Sequence, residues 1–212
     1  MYLLNTAYLW PTEDLYLLAA VNSPLLWAYM WRNAIHGKDE ALRLIYAFTE
    51  TLPIAPPSDA VRTEAEPAVA RLIEITKADQ QARRQTLDWL RTEFGVESPG
   101  QRLEELVSLD SDAFVEEVRR RRPRSQGRLT PAALADLRAG YAEQATPMRD
   151  RRTKATALER RLSDLVNAAY GLTPEDVQVL RATAPPRTPP FLGDPTTPAG
   201  PAEPLDPPAA AS

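Results

Sequence analysis

Hydrophobic positions along this chain recur mostly three and four residues apart, the spacing of one face of an α-helix. The densest apolar stretch, "YLLAAVNSPLLWAYMW" from Tyr16 to Trp31, is broken at its centre by Asn-Ser-Pro. Those three residues read as punctuation. Thr12 is placed to cap a first helix, Leu15 to Val21, with Glu13 and Asp14 suited to its dipole. Asn22 suits a left-handed C-terminal position, Ser23 an N-cap, and Pro24 the first position of the next helix. The segment is predicted to be two helices meeting at a corner. As a membrane span it would sit at the short end of the usual range, with breakers at its midpoint, so no membrane crossing is expected.

Around this corner, "NTAYLW" (Asn5 to Trp10) alternates as a strand and stops at Pro11, and a second strand is predicted over Leu42–Tyr46. Pro53, Pro56 and Pro57 close this head. One long helix follows through "EPAVARLIEITKADQQARRQTLDWLRTEFGV", with Pro67 near its first turn and Gly95 at its end. Val69, Leu72, Ile73, Leu87, Leu90 and Phe94 mark its apolar stripe. Thr76, Gln80 and Arg83 interrupt that stripe, which predicts a solvated arm. Ser98 and Gln101 form a capping box around Pro99, opening a short helix, and "DAFVEEVRRRR" is a second one that stops at Pro123.

Thr130-Pro131 starts another long helix through Leu134, Leu137 and Tyr141, which Thr146-Pro147 either kinks or restarts. Leu158, Leu162, Leu165, Val166 and Ala169 continue it. Gly171 is a natural C′ residue, and Thr173-Pro174-Glu175 opens a last helix. The predicted fold is mainly α. A small α+β head spans 1–57, an antiparallel hairpin of long helices spans 58–182, and a proline-rich tail spans 183–212. Ten of the 21 prolines fall from Pro185 onward without an apolar face, so the tail is expected to be disordered and partly polyproline II.

Chemistry is sparse on this frame. There is no cysteine, which removes disulfides and thiolate sites, and the single histidine, His36, sits beside Gly37 as a loop residue. No Gly-rich phosphate loop appears. The pairs Glu104-Glu105 and Glu116-Glu117 are adjacent on helices, where neighbouring side chains diverge, so they read as solvated faces. No catalytic, cofactor-binding or metal-ligating residue is assigned. "TPPF", Thr188 to Phe191, superficially resembles the Asn/Asp-Pro-Pro-aromatic loop of amino-methyltransferases, but threonine lacks the amide or carboxylate oxygen that accepts from the target amine.

Net charge is −4, so no overall field draws nucleic acid and any such contact must be local. One candidate stands out. "RRRRPRSQGR" contains Arg119, Arg120, Arg121, Arg122, Arg124 and Arg128 and no acid. Guanidinium forks match phosphates, so these six are candidates for DNA-backbone contact. The competing reading is a helix C-terminus whose cations complement the dipole.

Several motifs together resemble a known family. "LYLLAAVNSPLLWAYM" followed by "TETLPIAPP" resembles the end of the TaqI-like target-recognition domain of adenine-specific DNA methyltransferases. Those proteins carry Leu-Asn-Ser between two apolar helices and a Leu-Pro-Ile-Pro exit. Here Asn22-Ser23, followed by Pro24, and Leu52-Pro53-Ile54 match, while Val21 and Ala55 depart from the pattern. "LDWLRTEFGVESPGQRLEELVSLDSDAFVEEV" and "LERRLSDLVNAAYGLTPEDVQVL" are similar to the helical C-terminal extension of type IIG-like restriction–modification enzymes, with Tyr170-Gly171 as its most recognisable part.

The family's methyl-donor site and amine-clamping loop have no counterpart in these residues. The resemblance therefore implies a non-catalytic, specificity-side piece, as a subunit or a fragment. DNA and an upstream methyltransferase domain or subunit would be its partners, and S-adenosylmethionine would bind that other part. Two orphan strands and eight Trp and Tyr residues in the first 46 also predict a head that needs a packing partner. "MYLLNTAYLW" lacks the features of a signal peptide, so a cytoplasmic location is expected. A helical interaction module with a proline-rich partner-binding tail, unrelated to DNA, is the alternative.

Overall fold

The computed structural model describes residues 12–38, 41–123, 125 and 127–188. The chain is mainly α: α1 (Leu15–Val21), α2 (Pro24–Asn33), β1 (Ile35–His36), β2 (Leu42–Arg43), α3 (Tyr46–Thr49), α4 (Asp59–Phe94), α5 (Gly100–Glu104), a 3-10 turn at Leu106–Ser108, α6 (Ser111–Arg121), α7 (Pro131–Ala169) and α8 (Pro174–Ala182). Two compact units divide it. The first takes the chain up to Val69 and from Ala157 onward; the second is Ala70–Thr156. This cut falls inside both long helices, so each helix contributes to both units.

In the first unit, the Asn-Ser-Pro corner forms as predicted in its second half. Ser23 Oγ accepts the Leu26 N–H at 3.2 Å, and Pro24 occupies the first position of α2. The first half differs. Asn22 is not left-handed (φ −88°), because Ser23 N–H bonds the Ala20 carbonyl and the Asn22 amide bonds the Leu18 carbonyl, closing α1 right-handed. Asp14, not Thr12, caps α1, its Oδ1 accepting from Leu17 N at 3.1 Å while Arg62 also reaches the same carboxylate. Thr12 accepts from Asp14 N instead.

The strand at Leu42 is only two residues long. It pairs antiparallel with Ile35–His36, in the register Ile35↔Arg43 and His36↔Leu42. Gly37 N–H to the Ala41 carbonyl closes the connection, so His36 is a strand residue rather than a loop residue. Tyr46 begins α3 instead of ending the strand. The strand expected at Asn5–Trp10 lies outside the described residues.

Helix α4 starts at Asp59, well before Pro67. Ser58 Oγ accepts the Val61 N–H and caps the start, leaving Pro67 inside the helix, where the Thr63 carbonyl loses its usual donor. Pro147 likewise sits inside α7, which does not restart there. Thr76, Gln80 and Arg83 are exposed, as their polarity predicts.

The second unit buries Leu90, Phe94, Leu103, Leu106, Phe114, Val118, Leu137, Tyr141 and Met148 in one core. Here α4 and α7 run antiparallel: Asp79 pairs with Arg151, and Trp89 lies against Gly140. The Tyr141 ring stacks on Phe114 at 4.7 Å, and its hydroxyl donates to the Leu109 carbonyl. The expected Ser98/Gln101 capping box is absent. Pro99 occupies the cap position without a side-chain bond, and Gln101 turns to Glu105.

The predicted end signals of α7 and α8 hold. Gly171 adopts φ 66°, a left-handed conformation that a side chain would strain, and Leu172 N–H bonds back to the Asn167 carbonyl. Thr173 forms a full capping box with Asp176. Residues 183–188, assigned to the tail by composition, are placed in the first unit and bond to α2. The remainder of the tail, including most of "TPPF", lies outside the described residues.

Candidate functional site

Helix α6 ends in Arg119, Arg120 and Arg121, and the turn before them supplies the acid that their own stretch lacks. Glu117 is 2% exposed, not solvated. Its Oε1 accepts from Arg120 Nη2 at 2.6 Å and Arg121 Nε at 3.0 Å, while Arg102 Nη1 on α5 lies 3.5 Å from Oε2. Burial pushes the Glu117 carboxyl up, but the hydrogen bonds and charges of Arg120 and Arg121 outweigh that and hold it below its ordinary value. Glu116 stays exposed and pairs with Arg119 at 3.5 Å. The three- and four-residue spacing from Glu117 to Arg120 and Arg121 was visible in the sequence. The approach of Arg102 was not.

The six candidate arginines therefore divide. The Arg121 guanidinium lies against Gly100, where a Cβ would come within 2.4 Å of its Nη2, and its side chain is 33% exposed. Arg122 Nε donates to the Phe94 carbonyl at 3.0 Å and its Nη1 to the Gly127 carbonyl at 3.5 Å, tying the end of α4 to the loop before α7. These two serve the fold. Arg119 and Arg120 remain at least half exposed, as does Arg102, which sequence reasoning left out. Arg128 is exposed and makes no ion pair among the described residues. Arg124 lies outside the described residues. One buried carboxylate facing several cations leaves an excess of positive charge and fixes the guanidinium forks before any ligand arrives.

Part of the family resemblance meets in the first unit, while the stretch from Leu87 to Val118 belongs to the second. Leu26 and Met30, which follow the corner of Asn22, Ser23 and Pro24, are buried with Leu52, and Tyr170 packs on the same cluster. The Tyr170 hydroxyl donates to the Pro53 carbonyl at 2.6 Å. Burial pushes the Tyr170 phenol up, and that of Tyr16 as well. Sequence reasoning missed the ion pairs of this unit: Arg62 bridging Asp14 and Glu66, and Arg161 paired with Glu64. Tyr16 and Asn167 each bury an oxygen with no hydrogen-bond partner among the described residues.

Among the described residues no cluster of His, Cys, Asp and Glu is arranged to hold a metal ion, and no helix is long and apolar enough to cross a membrane. Residues 58–166 match the model of a domain of unknown function, DUF8810, over just more than half of the chain, which therefore belongs to that family. No curated protein and no solved structure matches it.

Proposed function

We propose that this DUF8810 protein is a non-catalytic, DNA-facing part of an adenine-specific DNA methyltransferase of a restriction–modification or related defence system. Its first unit would be the specificity-side element beside an upstream methyltransferase domain or subunit, which would hold S-adenosylmethionine. The exposed arginines at the end of α6 would meet DNA phosphates, and the assembly would act in the cytoplasm. One observation carries the reading. Leu26 and Met30 of the helix after the corner, Leu52 of the exit and Tyr170 are spread across the chain, yet they pack in one cluster, with Tyr170 bonded to Pro53.

A second reading keeps the helical part as an interaction module without DNA. It is favoured by the family match itself, which spans 58–166 and leaves out the head. Fluorescence anisotropy with a labelled DNA duplex at low salt, run beside calorimetry with S-adenosylmethionine, separates the two. Saturable duplex binding with no stoichiometric cofactor binding is expected. Absence of duplex binding at low salt would leave the interaction module standing.

A further inference from the structure

Arg102 stands on α5, outside the arginine run, yet it turns to the same carboxylate. Its Nη1 lies 3.5 Å from Glu117 Oε2, while Arg120 Nη2 donates to Oε1 at 2.6 Å and Arg121 Nε to that same oxygen at 3.0 Å. Glu117 is buried, whereas the Arg102 and Arg120 side chains are 56% and 58% exposed. One negative charge therefore lies beneath outward guanidinium groups from two different helices, and three positive charges against it leave a local excess. The neighbouring acids do not cancel that excess. Glu116 is paired with Arg119, and neither Glu104 nor Glu105 pairs with Arg102 among the described residues, Glu105 accepting from Gln101 instead.

We infer that Arg102 and Arg120 together hold one phosphate of the DNA backbone, across the junction of α5 and α6. The inference rests on the proposed role at DNA and adds to it a residue outside the arginine run. Both guanidinium groups reach one carboxylate, so they stand close enough for a single phosphate group to span them. Each guanidinium carries five N–H donors, of which Arg120 gives one to Glu117 while Arg102 makes only an ion contact, so most donors remain for a ligand. A phosphodiester presents two charged oxygens, one for each fork. Long side chains lose rotamer freedom when they bind, and Glu117 has already restricted these two, so less is lost on contact.

The test is fluorescence anisotropy of the full chain with one labelled duplex over a salt series. Arg102→Ala should weaken binding at low salt by roughly threefold to tenfold, yet change it little when Arg120 is already alanine, because the two act on one phosphate. The double variant should flatten the slope of log affinity against log salt by about 0.9, the share of a single phosphate, where two separate contacts would give about 1.8. Arg102→Lys keeps the charge and should keep the wild-type slope, which separates a lost contact from a lost fold. Arg102→Ala without effect on affinity, or effects that multiply in the double variant, would overturn the inference while leaving the DNA reading in place. A wild-type chain that binds no duplex at low salt would overturn both.

Discussion

The Tyr170 hydroxyl donates to the Pro53 carbonyl at 2.6 Å across 117 residues of sequence. This bond joins the end of α7 to the segment between α3 and α4, and its two residues come from separate parts of the family resemblance. Tyr170→Phe keeps the ring against the Leu26–Met30–Leu52 cluster and removes only the bond. Pro53 is exposed, so its carbonyl recovers water, and the loss in unfolding free energy should be about 1 kcal/mol. Tyr170→Ala should cost about 2 kcal/mol or more, since the half-buried ring goes as well. Equal costs in denaturant unfolding would assign the contribution to the hydroxyl alone.

Glu117 makes the stability of the second unit depend on acid pH. Its carboxyl lies below the ordinary 4.5 in the folded chain despite burial, because Arg120 and Arg121 favour the charged form. Such a group contributes fully above about pH 4.5 and loses its contribution as pH falls through the folded value. Glu117→Gln should cost roughly 1.5–3 kcal/mol at neutral pH and flatten the loss of protection at Phe114 and Val118 below pH 4.5. Amide exchange across that range measures it. A parallel pH profile in the variant would remove Glu117 from the account.

At Gly140 two effects oppose each other. Alanine in a helix is favoured over glycine by about 1 kcal/mol. A Cβ at position 140, however, would stand 2.6 Å from the Trp89 ring, which itself meets Phe94 edge-on at 5.2 Å. Displacing that ring should cost about 1–3 kcal/mol, so Gly140→Ala is expected to lower the melting temperature. A raised melting temperature would show that Trp89 moves aside freely.

Local signals were the legible ones. The Ser23 cap, the Thr173 cap, the Gly171 stop and the mainly α fold all depend on residues three or four apart. What failed was partly local, as at Asn22 and at Ser98 with Gln101, and partly set by distant partners. Thr12 and Asp14 could each cap α1, and Asp14 also receives Arg62 from 48 residues away. Glu117 looked solvated until α5 brought Arg102 beside it. Pro67 suggested a helix start, but the helical run continues upstream to a cap at Ser58. In the candidate site, the arginines were legible as a cluster, whereas the division between fold-serving and outward-facing ones was not.

The first unit also keeps large apolar side chains in water around its small sheet. Ile35 is 58% exposed, Tyr46 65% and Ile45 40%. The isolated chain is expected to self-associate through this patch. Light scattering behind size exclusion should show that Ile35→Thr with Tyr46→Ser shifts the chain toward monomer. A wild-type chain that elutes as a clean monomer at high concentration would contradict this expectation.

The salt dependence of duplex binding tests the proposed contact between the outward-facing arginines and DNA phosphates. Each phosphate contact adds about 0.9 to the magnitude of the slope of log affinity against log salt. Replacing Arg119, Arg120 and Arg128 with alanine should therefore flatten that slope by about two to three units. Replacing Arg121 and Arg122 should instead lower stability and leave the slope nearly unchanged. Anisotropy titrations of one duplex over a series of salt concentrations give both numbers. Duplex binding that is absent, or whose slope is the same in the wild type and the Arg119/Arg120/Arg128 variant, would contradict the account.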